Sequence, residues 1–264
     1  MKNLIVNADD LCLTEGVDRA ILELLAANLI SSASAMVTSH ERRSRLAKYN
    51  MKFLAGRVGL HLQLSGGEPL SLPKDIPSLV NPDTGIFFKS QQPPNPSSHE
   101  VDIEWRRQIQ AFHDCTGFLP SHLDTHQGAH RVASCEPVYL SLAASFKLPV
   151  RGYDDAYAQR IKNHGLIGSD YVLRGWTGKN LGIAKLRNAI LEAFANRNRS
   201  TVELVTHPGY CDEELIQISR LSSARETDLS AVRELTADDW LSSHDISLIN
   251  RLGKPLIRTL SSNG

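Results

Sequence analysis

The chain has 264 residues, 41% of them hydrophobic, which suffices for a substantial core and suits one α/β barrel or two smaller domains. Lys plus Arg and Asp plus Glu balance at 29 each, so no global field recruits nucleic acid or an anionic membrane. The four cysteines, Cys12, Cys115, Cys135 and Cys211, show no Cys-x-x-Cys spacing; this argues against a thiolate zinc site and a dense disulfide framework, and free thiols are expected.

In chain order, Asn3 to Ala8 is a short apolar run that reads as a buried strand and ends in two carboxylates, Asp9 and Asp10. No basic n-region and apolar h-region precede it and no apolar run approaches membrane-spanning length, so a cytoplasmic protein without an integral membrane segment is expected. A helix follows, capped by Thr14, with Asp18 in its first turns and an apolar face of Ile21, Leu22, Leu24 and Leu25. Ser31 to Val37 reads as a small-residue strand and Glu41 to Tyr49 as a polar surface helix. From Val58 to Leu64 apolar residues take every second place, so Gly59, His61 and Gln63 share the opposite face.

Ser65 to Ser98 is rich in Gly, Pro, Ser and Asn and reads as a long loop that covers a site or lines a partner subunit's surface in a homodimer. A helix is expected from Val101 to Cys115, ending at Gly117. After Pro120, an extended Ser121 to His130 would send His122, Asp124 and His126 to one face, whereas a helical turn would bring His126 and His130 together. The alternation continues with a helix at Pro137 to Phe146, strands at Leu148 to Gly152 and Asp170 to Arg174, a helix at Leu181 to Asn196, and a strand at Thr201 to Thr206 that runs into His207-Pro208-Gly209-Tyr210. Helices at Glu213 to Leu221 and Asp228 to Leu235 and a last strand at Pro255 to Leu260 complete it. Strands alternating with helices imply a mostly parallel sheet with right-handed crossovers in a single domain.

Ligands bind beyond the carboxyl ends of parallel strands, and here those ends carry Asp9 or Asp10, His61 and His126. Two imidazoles and a carboxylate suit a divalent first-row ion, and a catalytic site needs three protein ligands plus an open position; His130 competes as a ligand. Any one of these histidines alone is more often a hydrogen-bonded structural residue, and the convergence of several strand ends decides for the metal. A further strand end supplies His207, suited to general acid chemistry, and another supplies Arg151, suited to an anionic or hydroxyl-rich ligand.

Four blocks, Asn7-Ala8-Asp9-Asp10-Leu11, Gly59-Leu60-His61-Leu62, His122-Leu123-Asp124-Thr125-His126-Gln127 and Glu203-Leu204-Val205-Thr206-His207-Pro208-Gly209-Tyr210, resemble in order the signature blocks of the YdjC-like carbohydrate deacetylases, of the chitooligosaccharide or hopanoid-associated type. The resemblance implies a distorted (β/α) barrel that removes acetyl groups from N-acetylated sugars. It implies one divalent metal ion, magnesium or zinc, on Asp10, His61 and His126, with Asp9 as the catalytic carboxylate. His207 is then the acid, and His122, Asp124, His130 and Arg151 line the substrate. The chain departs from the pattern in two places: Leu11-Cys12 stands where the family has Gly after the paired Asp, and Gln127-Gly128-Ala129-His130 lacks a family histidine at Gly128. Hydrolysis of another amide or ester, and a non-catalytic sugar- or metal-binding protein, are the alternative functions.

Overall fold

The apolar run at the start forms a strand with both faces covered, β1 (Lys2–Leu11), buried from Leu4 to Leu11. That is the condition of a central parallel strand. The computed structural model describes residues 1–89, 92–176 and 182–256. The further strands are β2 (Ser32–Ala35), β3 (Val58–Leu62), β4 (Leu123–Thr125), β5 (Tyr171–Leu173), β6 (Thr201–Thr206) and β7 (Ile246–Leu248). Helices alternate with them: α1 (Glu15–Ala26), α2 (His40–Lys48), α3 (Met51–Leu54), α4 (Ser98–Thr116), α5 (Glu136–Phe146), α6 (Asp155–Asn163), α7 (Gly182–Ala195), α8 (Glu213–Ile218), α9 (Ala224–Ala237) and α10 (Trp240–Ser243). The expected α/β class with parallel strands is met.

Two units interleave along the chain, one holding Met1–Ala33, Arg151–Arg160 and Gly168–Gly264, the other Ser34–Val150 and Ile161–Ile167. In the first, β1 pairs in parallel with β6, from Asn3↔Thr201 to Ala8↔Thr206, and with β7 at Lys2 to Leu4. β5 continues from β6 in parallel. This register sets the carboxyl ends of β1 and β6 side by side, so Asp9 and His207 leave the sheet at one edge. α1 starts as expected, with Thr14 accepting from the Val17 N–H, and buries Val17, Ile21, Leu24 and Leu25.

In the second unit β3 pairs in parallel with β4, with His61 opposite Asp124. α4 buries Val101, Trp105, Ile109 and Phe112 along one stripe and ends at Gly117, whose φ of 76° is left-handed. Glu104 and Gln108 lie buried on the same helix. Glu104 accepts from the N–H groups of Leu70 and Ser71, and Gln108 bonds both backbone groups of Gln63. The described part of the Pro/Gly/Ser-rich segment carries a 3-10 turn at Pro73–Asp75, buries Ile76, Leu79, Val80 and Phe87, and is fastened to α4.

Several expectations are corrected. Leu148 to Gly152 makes a single bridge, Val150 to Leu123, rather than a strand; Pro149, beside it, has no N–H to extend the ladder. The last strand lies earlier than expected, at β7, and Pro255 makes only a bridge to Ile249; residues 257–260 of the expected strand lie outside those described. The extended run after Pro120 stops at Thr125, where a 3-10 turn begins. Helix α6 was not foreseen, although Asp154, accepting from the Tyr157 N–H, marks its start. Among the described residues no helix is long and apolar enough to cross a membrane. All four cysteines are free thiols, and burial pushes the Cys135 thiol up to about 12.

Candidate active site

At the end of β1 two neighbouring carboxylates diverge. Asp10 has φ 69° and Cys12 φ 73°, left-handed values that side-chain-bearing residues rarely adopt. Strain of this kind collects at functional sites, and the turn is held by the Leu13 N–H to the Asp10 carbonyl and the Cys12 N–H to the Asp18 carboxylate. The chain thus accepts Cys12 where the family pattern has Gly. Asp9 is clamped by Arg151, Nη1 at 2.8 Å from Oδ2 and Nη2 at 2.6 Å from Oδ1, and Asn7 Nδ2 donates to Oδ1 at 2.8 Å. Asp10 Oδ2 accepts instead from Arg225 at 2.6 Å.

Beyond β6, His207 Nε2 lies 3.9 Å from Asp9 Oδ2, and the His207 N–H donates to Asp228. About a quarter of its side chain is exposed, yet burial is the strongest influence and pushes His207 below the ordinary histidine range. The carboxylates of Asp9, Asp10 and Asp228 pull the other way, and Arg225 adds to the downward push. Under Asp9, Arg151 Nε donates to Glu203, which is fully buried and also forked by Arg251. Burial opposes the Glu203 charge, but Arg251 and Arg151 together outweigh it and hold the carboxyl at about 2.

The second unit holds a histidine cluster. His61 Nδ1 is 2.7 Å from Asp124 Oδ1 and 3.3 Å from Ser34 Oγ. An ionised carboxylate only accepts, so Nδ1 carries the proton and Nε2 is the nitrogen suited to a metal, the carboxylate–histidine arrangement common at metal ligands. The His126 ring stands edge-on to the His61 ring with centroids 5.4 Å apart. His122 Nε2 lies 3.6 Å from Asp124 Oδ2, and its ring fills the space a Cβ at Gly59 would need, 2.3 Å away. The Gly-Leu-His block therefore serves His122 as well as His61. His130 is buried, stacked on Tyr139 and bonded through Nδ1 to Thr125 Oγ1 at 2.6 Å. At Gly128, φ is 69° and a Cβ would meet the Arg131 guanidinium at 2.6 Å, so Arg131 lies where the family's missing imidazole would begin.

The first unit thus brings Asp9, Arg151 and His207 together, and the second gathers His61, His122, Asp124 and His126. Arg225, Asp228 and Arg251 were missed. Asp228 and Arg225 lie on α9 and Arg251 in a turn, and no local pattern distinguishes them from surface charges.

A fixed buried carboxylate with an imidazole beside it stands at the carboxyl edge of parallel strands, where proteins of the α/β class bind their ligands. A family model described as YdjC-like protein matches residues 3–243, and the chain belongs to that family. It is 30% identical over 243 residues to a carbohydrate deacetylase of Oceanobacillus iheyensis, covering 89% of this chain and 98% of that one. It is 33% identical to a carbohydrate deacetylase of Halalkalibacterium halodurans over 84% of this chain and 91% of the relative. A chitooligosaccharide deacetylase of Proteus mirabilis is 30% identical over 88% and 90%. The fold matches the crystal structure of an Enterococcus faecalis V583 protein, named for a proposed cellobiose-phosphate cleavage, with a TM-score of 0.84 at 23% identity, covering 97% of this chain and 99% of that one.

Proposed function

We propose that the protein is a metal-dependent carbohydrate deacetylase, releasing acetate from an N-acetylated sugar. The observation that carries the reading is the Asp9 carboxylate, held by Arg151 and Asn7 with His207 Nε2 3.9 Å away. The names of the relatives support the substrate class. Asp10, His61 and His126 are the proposed ligands of one divalent ion; the orientation of His61 by Asp124 and the pair of imidazoles fit zinc, with magnesium the alternative. An ion bound there supplies an acidified water and a polarised acetyl carbonyl.

The side chains do the rest. Asp9 accepts the proton of the attacking water, and its fixed plane keeps one oxygen on that proton's path. His207 delivers a proton to the departing amine nitrogen. For His122, Asp124, His130 and Arg151 we propose holding roles in place of substrate contact, because each is buried and hydrogen-bonded to a protein group: Asp9 and Glu203 for Arg151, His61 for Asp124, Thr125 for His130, Ser121 for His122. The test measures bound metal and acetate release together. The parent protein should hold one ion and release acetate from chitooligosaccharides, and His61→Ala with His126→Ala should lose both. Stoichiometric metal in that double variant would refute the ligand set, and a metal-loaded parent that binds acetylated sugar without releasing acetate would be a binding protein.

A further inference from the structure

We infer that Arg251, in the turn after β7, is a positioning residue for Asp9, acting through a closed ring of buried hydrogen bonds. Arg251 Nη1 and Nη2 donate to Glu203 Oε2 and Oε1, each at 2.7 Å. Arg151 Nε donates to Glu203 Oε1 at 2.7 Å, and the two terminal nitrogens of Arg151 clamp Asp9. The other arm runs from Arg251 Nε to Ser32 Oγ at 3.2 Å, from Ser32 Oγ to Asn7 Oδ1 at 2.5 Å, and from Asn7 Nδ2 to Asp9 Oδ1 at 2.8 Å. Both arms begin on Arg251 and both end on Asp9. No member of the ring is more than 4% exposed.

Geometry explains why one clamp is not enough. A guanidinium is a planar fork, so fixing Arg151 at Nε as well as at its two terminal nitrogens sets its plane, and that plane sets the Asp9 carboxylate. Glu203 can fix Arg151 only if it is itself fixed, and the Arg251 fork on both its oxygens does that. The charges balance, two guanidiniums against Glu203 and Asp9, as burial requires. Buried ion pairs seldom stabilise more than apolar packing of the same volume would, so their use under a reacting carboxylate points to orientation rather than stability. A general base works only within a few tenths of an ångström of its productive position.

The inference rests on the reading of Asp9 as the base, and the test separates the two. Arg251→Lys keeps the charge and loses both the fork and Nε. Acetate release should fall about a hundredfold in kcat, with KM changed less than about twofold and bound metal unchanged. In an Asp9→Asn background the same substitution should cause no further loss, because a positioning residue has nothing left to position. Ser32→Ala removes the second arm and no charge; kcat should fall about fivefold with KM and bound metal nearly unchanged, and this variant carries the test if Arg251→Lys does not fold. Equal losses from Arg251→Lys in the parent and Asp9→Asn backgrounds, or folded Arg251→Lys and Ser32→Ala proteins with parental kcat, would overturn the inference. An Asp9→Asn variant as active as the parent would instead remove the assignment of the base, a result read before Arg251 is altered.

Discussion

The cluster around Asp9 and the cluster around His61 are both buried and polar, but they are built from opposite materials. The first sets permanent cations against carboxylates: Arg151 on Asp9, Arg151 and Arg251 on Glu203, Arg225 on Asp10. The second sets the Asp124 carboxylate between two imidazoles, His61 and His122. A guanidinium keeps its charge at every relevant pH, so it holds a carboxylate ionised and aimed without help. An imidazole oriented by a carboxylate presents a neutral nitrogen lone pair, which is what a divalent cation takes. One cluster orients carboxylates with permanent cations, and the other orients imidazoles with a carboxylate.

The contrast can be broken first at Asp9. Asp9→Asn keeps shape and much of the hydrogen bonding but loses basicity, so kcat for acetate release should fall by a factor of about a hundred to ten thousand, while metal measured by elemental analysis stays. In the other cluster the effect should reverse. Asp124→Asn weakens the hold on His61 and should lower metal affinity about 10- to 100-fold in a competition titration with a chelator, with kcat at saturating metal changed far less. A metal affinity that moves with Asp9→Asn and stays with Asp124→Asn would invert the assignment of the clusters.

The smallest effect is one of acid stability. Glu203 has a folded pKa of about 2 against an ordinary 4.5, so its pairing stabilises the fold fully above pH 4.5 and the contribution is lost as pH falls toward 2. Denaturant titrations of the parent should show stability declining across that window. Glu203→Gln should flatten the decline and lower stability near neutrality by roughly 3 to 5 kcal/mol, because two buried guanidiniums lose their shared counter-charge. A variant that keeps the parent's slope would place the acid-sensitive group elsewhere.

Much of this was legible in the residues. Strands β1, β3 and β6 stand where apolar runs and alternation placed them, and the signature blocks around Asp9, His61, His126 and His207 led to the family. The long loop was legible from its composition, but its fastening was not, because the acceptors that hold it are Glu100 and Glu104 of α4, 22 to 34 residues away. His122, Asp124 and Arg151 read as substrate contacts, since a polar residue at a strand end is open to that use or to a holding one. Their burial is what supports the proposed holding role, and burial is not written locally.

The sequence by itself determined the alternation of strand and helix, the strand ends that carry chemistry and the family, because periodicity, caps and turn residues act over a few positions. Only the tertiary structure decided which cation holds which carboxylate. Arg225 meets Asp10 across 215 residues and Arg251 meets Ser32 across 219, and no local pattern distinguishes such an arginine from one on the surface. The pairing is selected by the cost of burying an uncompensated charge, a quantity that exists only once the chain has closed around it.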